Sequence, residues 1–259
     1  SFSQRSDLRT STGARSNRGS TSGGGEGSSS VSSDSPETKS NNDKQNIENT
    51  DLLPLKVDAN GNATITKDII LKAIEKAKAE AKNGKETVAK IVIETGAAPK
   101  SVKISIKSDA FLELVSSNIH RFVIDTDRLI DLGFNSETLK ELKNKTKGDV
   151  IFSISKTKVT SSGAKKAIGK RPVYDISIAY SKHGQETKIE NLNGKTVSIA
   201  IPYKVSKKER SSNLYAVYVN KQGKVEWLTK SSYDKDNKAV IFVSDHFSVY
   251  GVGYKKDII

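Results

Sequence analysis

The sequence contains no cysteine, which removes disulfide frameworks, thiolate nucleophiles and cysteine-ligated zinc or iron–sulfur centres together. It contains no methionine either, not even at position 1. The chain is therefore expected to be a processed or excised piece, with any signal peptide or anchor outside it. No stretch approaches the roughly 18 consecutive apolar residues of a membrane span, so none is expected in this piece. Aromatic residues are few, 6% of the total, with one tryptophan, Trp227.

Histidine is scarce as well. His120, His183 and His246 are the only three, and they lack the i, i+4 spacing of a helical metal-binding pair. Asp125, Asp127 and Asp131 partly resemble a calcium loop, but the intervening Arg128, Leu129 and Ile130 and the missing glycine and distal glutamate spoil the pattern. A hairpin with solvated carboxylates is the better expectation. With no phosphate-cradling glycine loop and no nucleophile elbow, the sequence calls for no metal and no cofactor.

Positive charge is abundant: the net charge is +13. Residues 1–51 contribute none of the excess, since Arg5, Arg9, Arg15, Arg18, Lys39 and Lys44 face seven acidic residues there. The surplus is mostly lysine in the remainder. Lysine is a hydrated point charge and a poor planar reader of bases. Without clustered arginines or a reader motif, nucleic acid is not an expected partner. A lysine surface fits a solvated exterior, or attraction to polyanions such as teichoic acids and acidic polysaccharides.

Ser1 to Asp51 is dominated by Ser, Thr, Gly and Asn. It has too few apolar residues to offset the entropy of ordering, and reads as a disordered, flexible linker. Its four arginines allow a small anion-binding arm as the alternative. Folded sequence begins near Leu52. Asn60 and Gly61 mark a turn, and Thr66 is expected to cap a helix with its apolar stripe at Ile70, Ala73, Ile74, Ala77 and Ala81. Asn83 and Gly84 close it. Ser108–Ser116 suggests a brief helical piece, Arg121–Asp125 and Leu129–Leu132 a hairpin, and Ser136 the cap of a second short helix. Strands are expected at 89–94, 101–107, 150–159, 173–180, 196–201, 215–220, 225–229, 239–243 and 247–252, with Pro202 at a strand end. The fold class is mainly β, sandwich-like, with two short helices in the first half. Two subdomains are expected, 52–180 and 186–254, separated by the polar stretch 181–186.

The last seventy residues are the most distinctive. Asn193 to Tyr203 ends in Ile201-Pro202-Tyr203; Leu214 to Asn220 contains Val217-Tyr218-Val219; and Asp245 to Gly253 begins Asp245-His246-Phe247-Ser248. This order resembles a C-terminal β-rich module of secreted Firmicute surface proteins, often found beside S-layer homology repeats or glycan-active domains. Arg171 to Ser177 and the early helix also fit, so the likeness spans about 53–254. A fainter similarity connects the terminal pattern to UPA-type β-domains of ankyrins and netrin receptors. Both resemblances imply an interaction or spacer module without a cofactor. Fold alone does not fix the partner.

Some UPA-type domains cut themselves before the serine of a His-Phe-Ser triplet. Here Ser248 would attack the Phe247 carbonyl while His246 took the proton. Against this, a strand would place Phe247 inward with His246 and Ser248 together on the opposite face, so a simple packing role explains the triplet equally well. Trp227, Tyr215 and Tyr218 form the other candidate site, a platform for sugar rings, with core or edge packing as the alternative. The leading expectation is a non-catalytic module on a bacterial cell surface, acting in spacing, display or adhesion alongside other domains of a larger protein. The alternatives are binding of a cell-wall polymer or polysaccharide, and self-association.

Overall fold

The structure, a computed structural model, describes residues 52–81, 84–97 and 99–256. Residues 1–51, expected to be a linker or an anion-binding arm, and Asn83 lie outside the described residues. The described part is mainly β, as expected. Two sheets enclose an apolar core, and four α-helices accompany them.

Elements are numbered in chain order. The first sheet runs β1 (Leu55–Lys56), β3 (Val88–Glu94), β5 (Arg121–Asp125), β6 (Asp131–Asn135), β10 (Val197–Pro202), β14 (Ala239–Ser244), β13 (Ser232–Asp234). The second runs β12 (Val225–Leu228), β11 (Leu214–Val219), β15 (Val249–Tyr254), β8 (Val173–Lys182), β7 (Asp149–Lys156), β4 (Ser101–Ile106), β2 (Asn62–Ile65), with β9 (Gln185–Lys188) paired onto β8. Pairs β1–β3, β3–β5 and β2–β4 are parallel. Parallel neighbours need a crossover, and the helices supply part of it.

Alternation decides which faces are buried. In β4, Val102, Ile104 and Ile106 point into the core. Helix α1 (Lys67–Glu80) buries Ile70, Ala73, Ile74 and Ala77, four of the five residues of the expected stripe; the fifth, Ala81, is the half-buried C-cap, and Thr66 at the N-cap makes no side-chain capping bond. Helix α2 (Ser108–Ser116) buries Ala110, Phe111 and Leu114. Its first N–H groups have no partner within the helix. Asp149 on β7 accepts from the Ser108 N–H at 2.9 Å and from Lys107 Nζ at 3.0 Å. Helix α3 (Ser136–Lys145) is capped by Asn135, whose side chain accepts from the Thr138 N–H at 2.8 Å, one residue before the expected cap.

Among the described residues four α-helices stand where two, with a brief helical piece at 108–116, were expected. The last, α4 (Ser162–Ile168), joins the neighbouring strands β7 and β8. Ser161 caps it, accepting from the Ala164 N–H at 3.2 Å, while its own hydroxyl donates to the Gly223 carbonyl at 2.6 Å. The 181–186 stretch, read as a boundary, is the tip of the β8–β9 hairpin, with its turn at 183–184. His183 (φ 51°) and Gly184 (φ 79°) both take positive φ there, the requirement of a two-residue turn that matches strand twist. Each sheet takes strands from both sides of this turn, for β6 pairs with β10 and β8 with β15. Residues 52–256 belong to one compact unit.

Two local expectations are corrected. Phe247 and Ser248 precede β15, which starts at Val249, and His246 forms only an isolated bridge with Asn191. The triplet is a turn, not a strand, because the chain must cross from the first sheet to the second between β14 and β15. Asp131 is not solvated either. It lies opposite Asp125 in the β5–β6 pair and is 2% exposed.

Candidate functional site

The β7–α4–β8 segment builds a groove. Strand β7 ends at Lys156, residues 157–161 lead into α4, and residues 169–172 return to β8. The groove has a volume of about 560 Å³. Val159, Ile168, Pro172 and Val173 provide its apolar lining, and Lys156, Lys158, Lys165, Lys170 and Arg171 its cations. Between Asp149 and Asp175 the sequence holds no acidic residue. The four lysines form no ion pair with any described residue. A concave wall of unopposed like charge focuses a positive potential into the groove.

Arg171 differs from the lysines. Its Nε donates to Glu209 Oε1 at 2.7 Å, Nη2 approaches the same oxygen at 2.6 Å, and Nη1 donates to the Ile168 carbonyl at 3.0 Å. The other carboxylate oxygen of Glu209 accepts from the Tyr203 hydroxyl at 2.7 Å and the Ser206 N–H at 3.0 Å. Burial alone raises the Glu209 pKa. The bonds from Ser206, Tyr203 and Arg171 outweigh it and hold the carboxyl at about 2. Burial, followed by this carboxylate, pushes the Tyr203 hydroxyl up. Arg171 therefore clamps the 203–209 loop to the groove and has its charge answered. The lysines carry the groove's free charge.

No family model matches the chain, and a search of curated proteins finds no match. The likeness to surface-protein modules rests on the motif residues alone.

The structure separates the three aromatic candidates. Tyr215 and Trp227 share one face of the second sheet, with ring centroids 6.2 Å apart and planes at 87°. Tyr218 turns to the opposite, core face, where it meets Tyr250 at 5.7 Å and His246 at 4.9 Å. The odd–even separation of 215 and 218 along β11 dictates this split. Trp227 belongs to a second apolar cluster with Ile168, Val173 and Val217, against which Val159 also packs. It is held close to the sheet over Gly253, where an added Cβ would lie 2.7 Å from the indole and 2.8 Å from Val217. Lys255 Nζ stands 5.8 Å from the indole centroid.

His246 is brought to Ser244 and Asp245. Its Nδ1 lies 3.3 Å from Ser244 Oγ and 3.1 Å from Asp245 Oδ1. A relay of serine, histidine and carboxylate needs the serine on one ring nitrogen and the acid on the other. Here both meet Nδ1, so the trio is not a relay. Ser244 Oγ also contacts the Tyr250 hydroxyl at 2.6 Å, and that hydroxyl donates to the His246 carbonyl at 2.8 Å. Burial pushes the Tyr250 phenol far above its ordinary range. The backbone of Ser248 accepts from the Ile176 N–H at 2.9 Å. Phe247 is buried in the main core. These contacts tie the turn down and direct the imidazole at Ser244.

His120 Nδ1 accepts from the Thr87 N–H at 2.9 Å, and His183 sits in the β8–β9 turn. Among the described residues no group of three or more His, Cys, Asp or Glu is arranged to hold a metal. Asp125 pairs with Lys90 at 3.0 Å. Burial raises its pKa, but the Lys90 charge, the Asp127 N–H and a hydrogen bond with Asp131 together pull it below the usual range.

The groove lysines were missed by the sequence reading as a site, although the acid-free run from 150 to 174 is legible there. What hid it was α4, which folds that run onto itself.

Proposed function

We propose that this chain is a non-catalytic binding module of a bacterial extracellular surface protein, and that it holds an anionic cell-wall polymer or polysaccharide in the β7–α4–β8 groove. The observation that carries this reading is the set Lys156, Lys158, Lys165 and Lys170 around an apolar cleft of about 560 Å³. Four ammonium groups without an acidic partner among the described residues, set around one concavity, offer a polyanion several cations at once. A plain spacer has no use for such a cleft. Display or adhesion in a larger protein is compatible with it, since holding a wall polymer is one way to adhere. The surface-module resemblance of the last seventy residues supports the location.

The test is retention of the chain on insoluble wall fragments and on an acidic polysaccharide resin. Retention at low salt that is lost on raising ionic strength supports the reading, because exposed charge pairs are screened over about 10 Å at 0.1 M. Absence of retention at low salt favours the spacer.

A further inference from the structure

We infer that the turns 206–209 and 220–224 extend the groove at the two ends of α4, and that its ligand is an extended polyanion that engages lysines of both turns at once. This rests on the proposed anion-binding reading and deepens it, from one cavity to a site that selects long chains over short ones.

Two direct contacts place the turns. At the end of α4, the Arg171 guanidinium donates both to the Ile168 carbonyl and to Glu209, so the 206–209 turn stands beside the last helical residue. At its start, the cap residue Ser161 donates to the Gly223 carbonyl at 2.6 Å, and a Cβ added to Gly223 would lie 2.8 Å from the Ser161 Cβ. Val159, which lines the groove, and Val225, which follows the 220–224 turn, pack in the same small cluster. The helix has seven residues, so at 1.5 Å of rise each its ends are about 10 Å apart.

Both turns are held in shape by their own hydrogen bonds. In the first, Glu209 Oε2 accepts from the Ser206 N–H at 3.0 Å, and the Glu209 N–H donates to the Ser206 carbonyl at 3.1 Å. Lys207 and Lys208 are its two central residues, and both are exposed. In the second, Asn220 Oδ1 accepts from the N–H groups of Gln222 at 3.0 Å and Lys224 at 2.9 Å. Lys221 and Lys224 are exposed there.

Glu209 is the one acidic residue between Glu190 and Glu226, and Arg171 engages it. None of the four turn lysines is in an ion pair with a described residue. Three stretches far apart in sequence therefore bring lysine to the groove and to both ends of one short helix. A small anion in the groove cannot engage the two turns together. A chain laid along α4 reaches both, and each contact after the first is made at high effective concentration.

The full chain is titrated at low salt with trigalacturonate and with polygalacturonate. Wild type should bind the polymer at least about tenfold more tightly per uronate unit. The paired variants Lys207→Ala, Lys208→Ala and Lys221→Ala, Lys224→Ala should each weaken the polymer about tenfold and leave the trimer unchanged. The pair Lys72→Ala, Lys78→Ala removes the same charge from exposed positions of α1 and should bind as wild type does. All three chains should melt with wild type. If either turn variant keeps the wild-type affinity for the polymer, if the α1 variant loses as much, or if the trimer binds as tightly per unit, the extended site is overturned while the anion groove stands. If wild type binds neither ligand, the underlying reading falls with it.

Discussion

The guanidinium of Arg171 and the carboxylate of Glu209, 38 residues apart in the chain, meet through two nitrogens on one oxygen, at 2.7 Å and 2.6 Å. Arg171 is 19% and Glu209 8% exposed at the side chain. This pair joins the start of β8 to the 203–209 loop, and it separates the groove's one answered cation from its unanswered lysines.

Removing that carboxylate should act in two directions. Glu209→Gln leaves Arg171 partly buried without its partner, and is expected to destabilise the fold at pH 7 by about 2 kcal/mol. The same change frees the Arg171 charge, so affinity for a polyanion should rise. The folded Glu209 sits near 2, below its ordinary 4.5. Its stabilisation is fully present above 4.5 and is lost as pH falls through about 2. Urea melts of wild type and Glu209→Gln should therefore differ at pH 7 and converge towards pH 2; an equal gap at both would refute the assignment.

Gly253 is held to glycine by its neighbours rather than by its backbone angles. A methyl group there would collide with both the Trp227 indole and Val217. Gly253→Ala is expected to cost about 1–3 kcal/mol, the usual range for overpacking. It should also lift Trp227 into water and red-shift its emission. Unchanged thermal unfolding and fluorescence would show that the indole does not lie over this strand.

The turn at His246–Ser248 gives an expectation about self-cleavage. His246 Nδ1 is engaged by Ser244 and Asp245, and the Ser248 carbonyl is bonded to β8. Purified chain incubated for days should keep its intact mass. Appearance of a fragment beginning at Ser248 would mean that the turn reaches another arrangement, with the imidazole aimed at that hydroxyl.

Asp125 and Asp131 are opposite one another with Lys90 at 3.0 Å from the first. A side-chain hydrogen bond with Asp131 is among the contacts that hold the Asp125 carboxyl below its usual range. Asp131→Asn, neutral and able to donate, is expected to melt close to wild type. Asp131→Ala loses the bond and should be less stable by about 1–2 kcal/mol. Calorimetry distinguishes them, and equal losses would rule out the shared bond.

The sequence made the strands legible because burial on one face writes a period of two. Val102, Ile104 and Ile106 are the plainest case, and α1 was equally clear from Ile70, Ala73, Ile74 and Ala77. The order of strands was not legible, since the chain crosses between sheets repeatedly and no local signal says which sheet the next strand joins. Helix α4 escaped because seven residues with Ala164, Ala167 and Ile168 buried are too few to establish a helical period, even with Ser161 before it and Gly169 after. The groove vanished with it. The split of Tyr218 from Tyr215 was within reach of pattern reasoning, since a strand over 215–220 sends the two to opposite faces, but the Tyr215–Trp227 contact needed the register of β11 with β12.

The groove is tested most directly by measuring the affinity for polygalacturonate, at low salt, of wild type and of the combined Lys158→Ala, Lys165→Ala, Lys170→Ala chain. All three side chains line the groove, and none is in an ion pair with a described residue, so their removal should leave the fold intact. A fall of at least about tenfold, with an unchanged melting temperature, is the expected result. An affinity equal to that of the wild type would mean that the polymer is bound elsewhere or not at all.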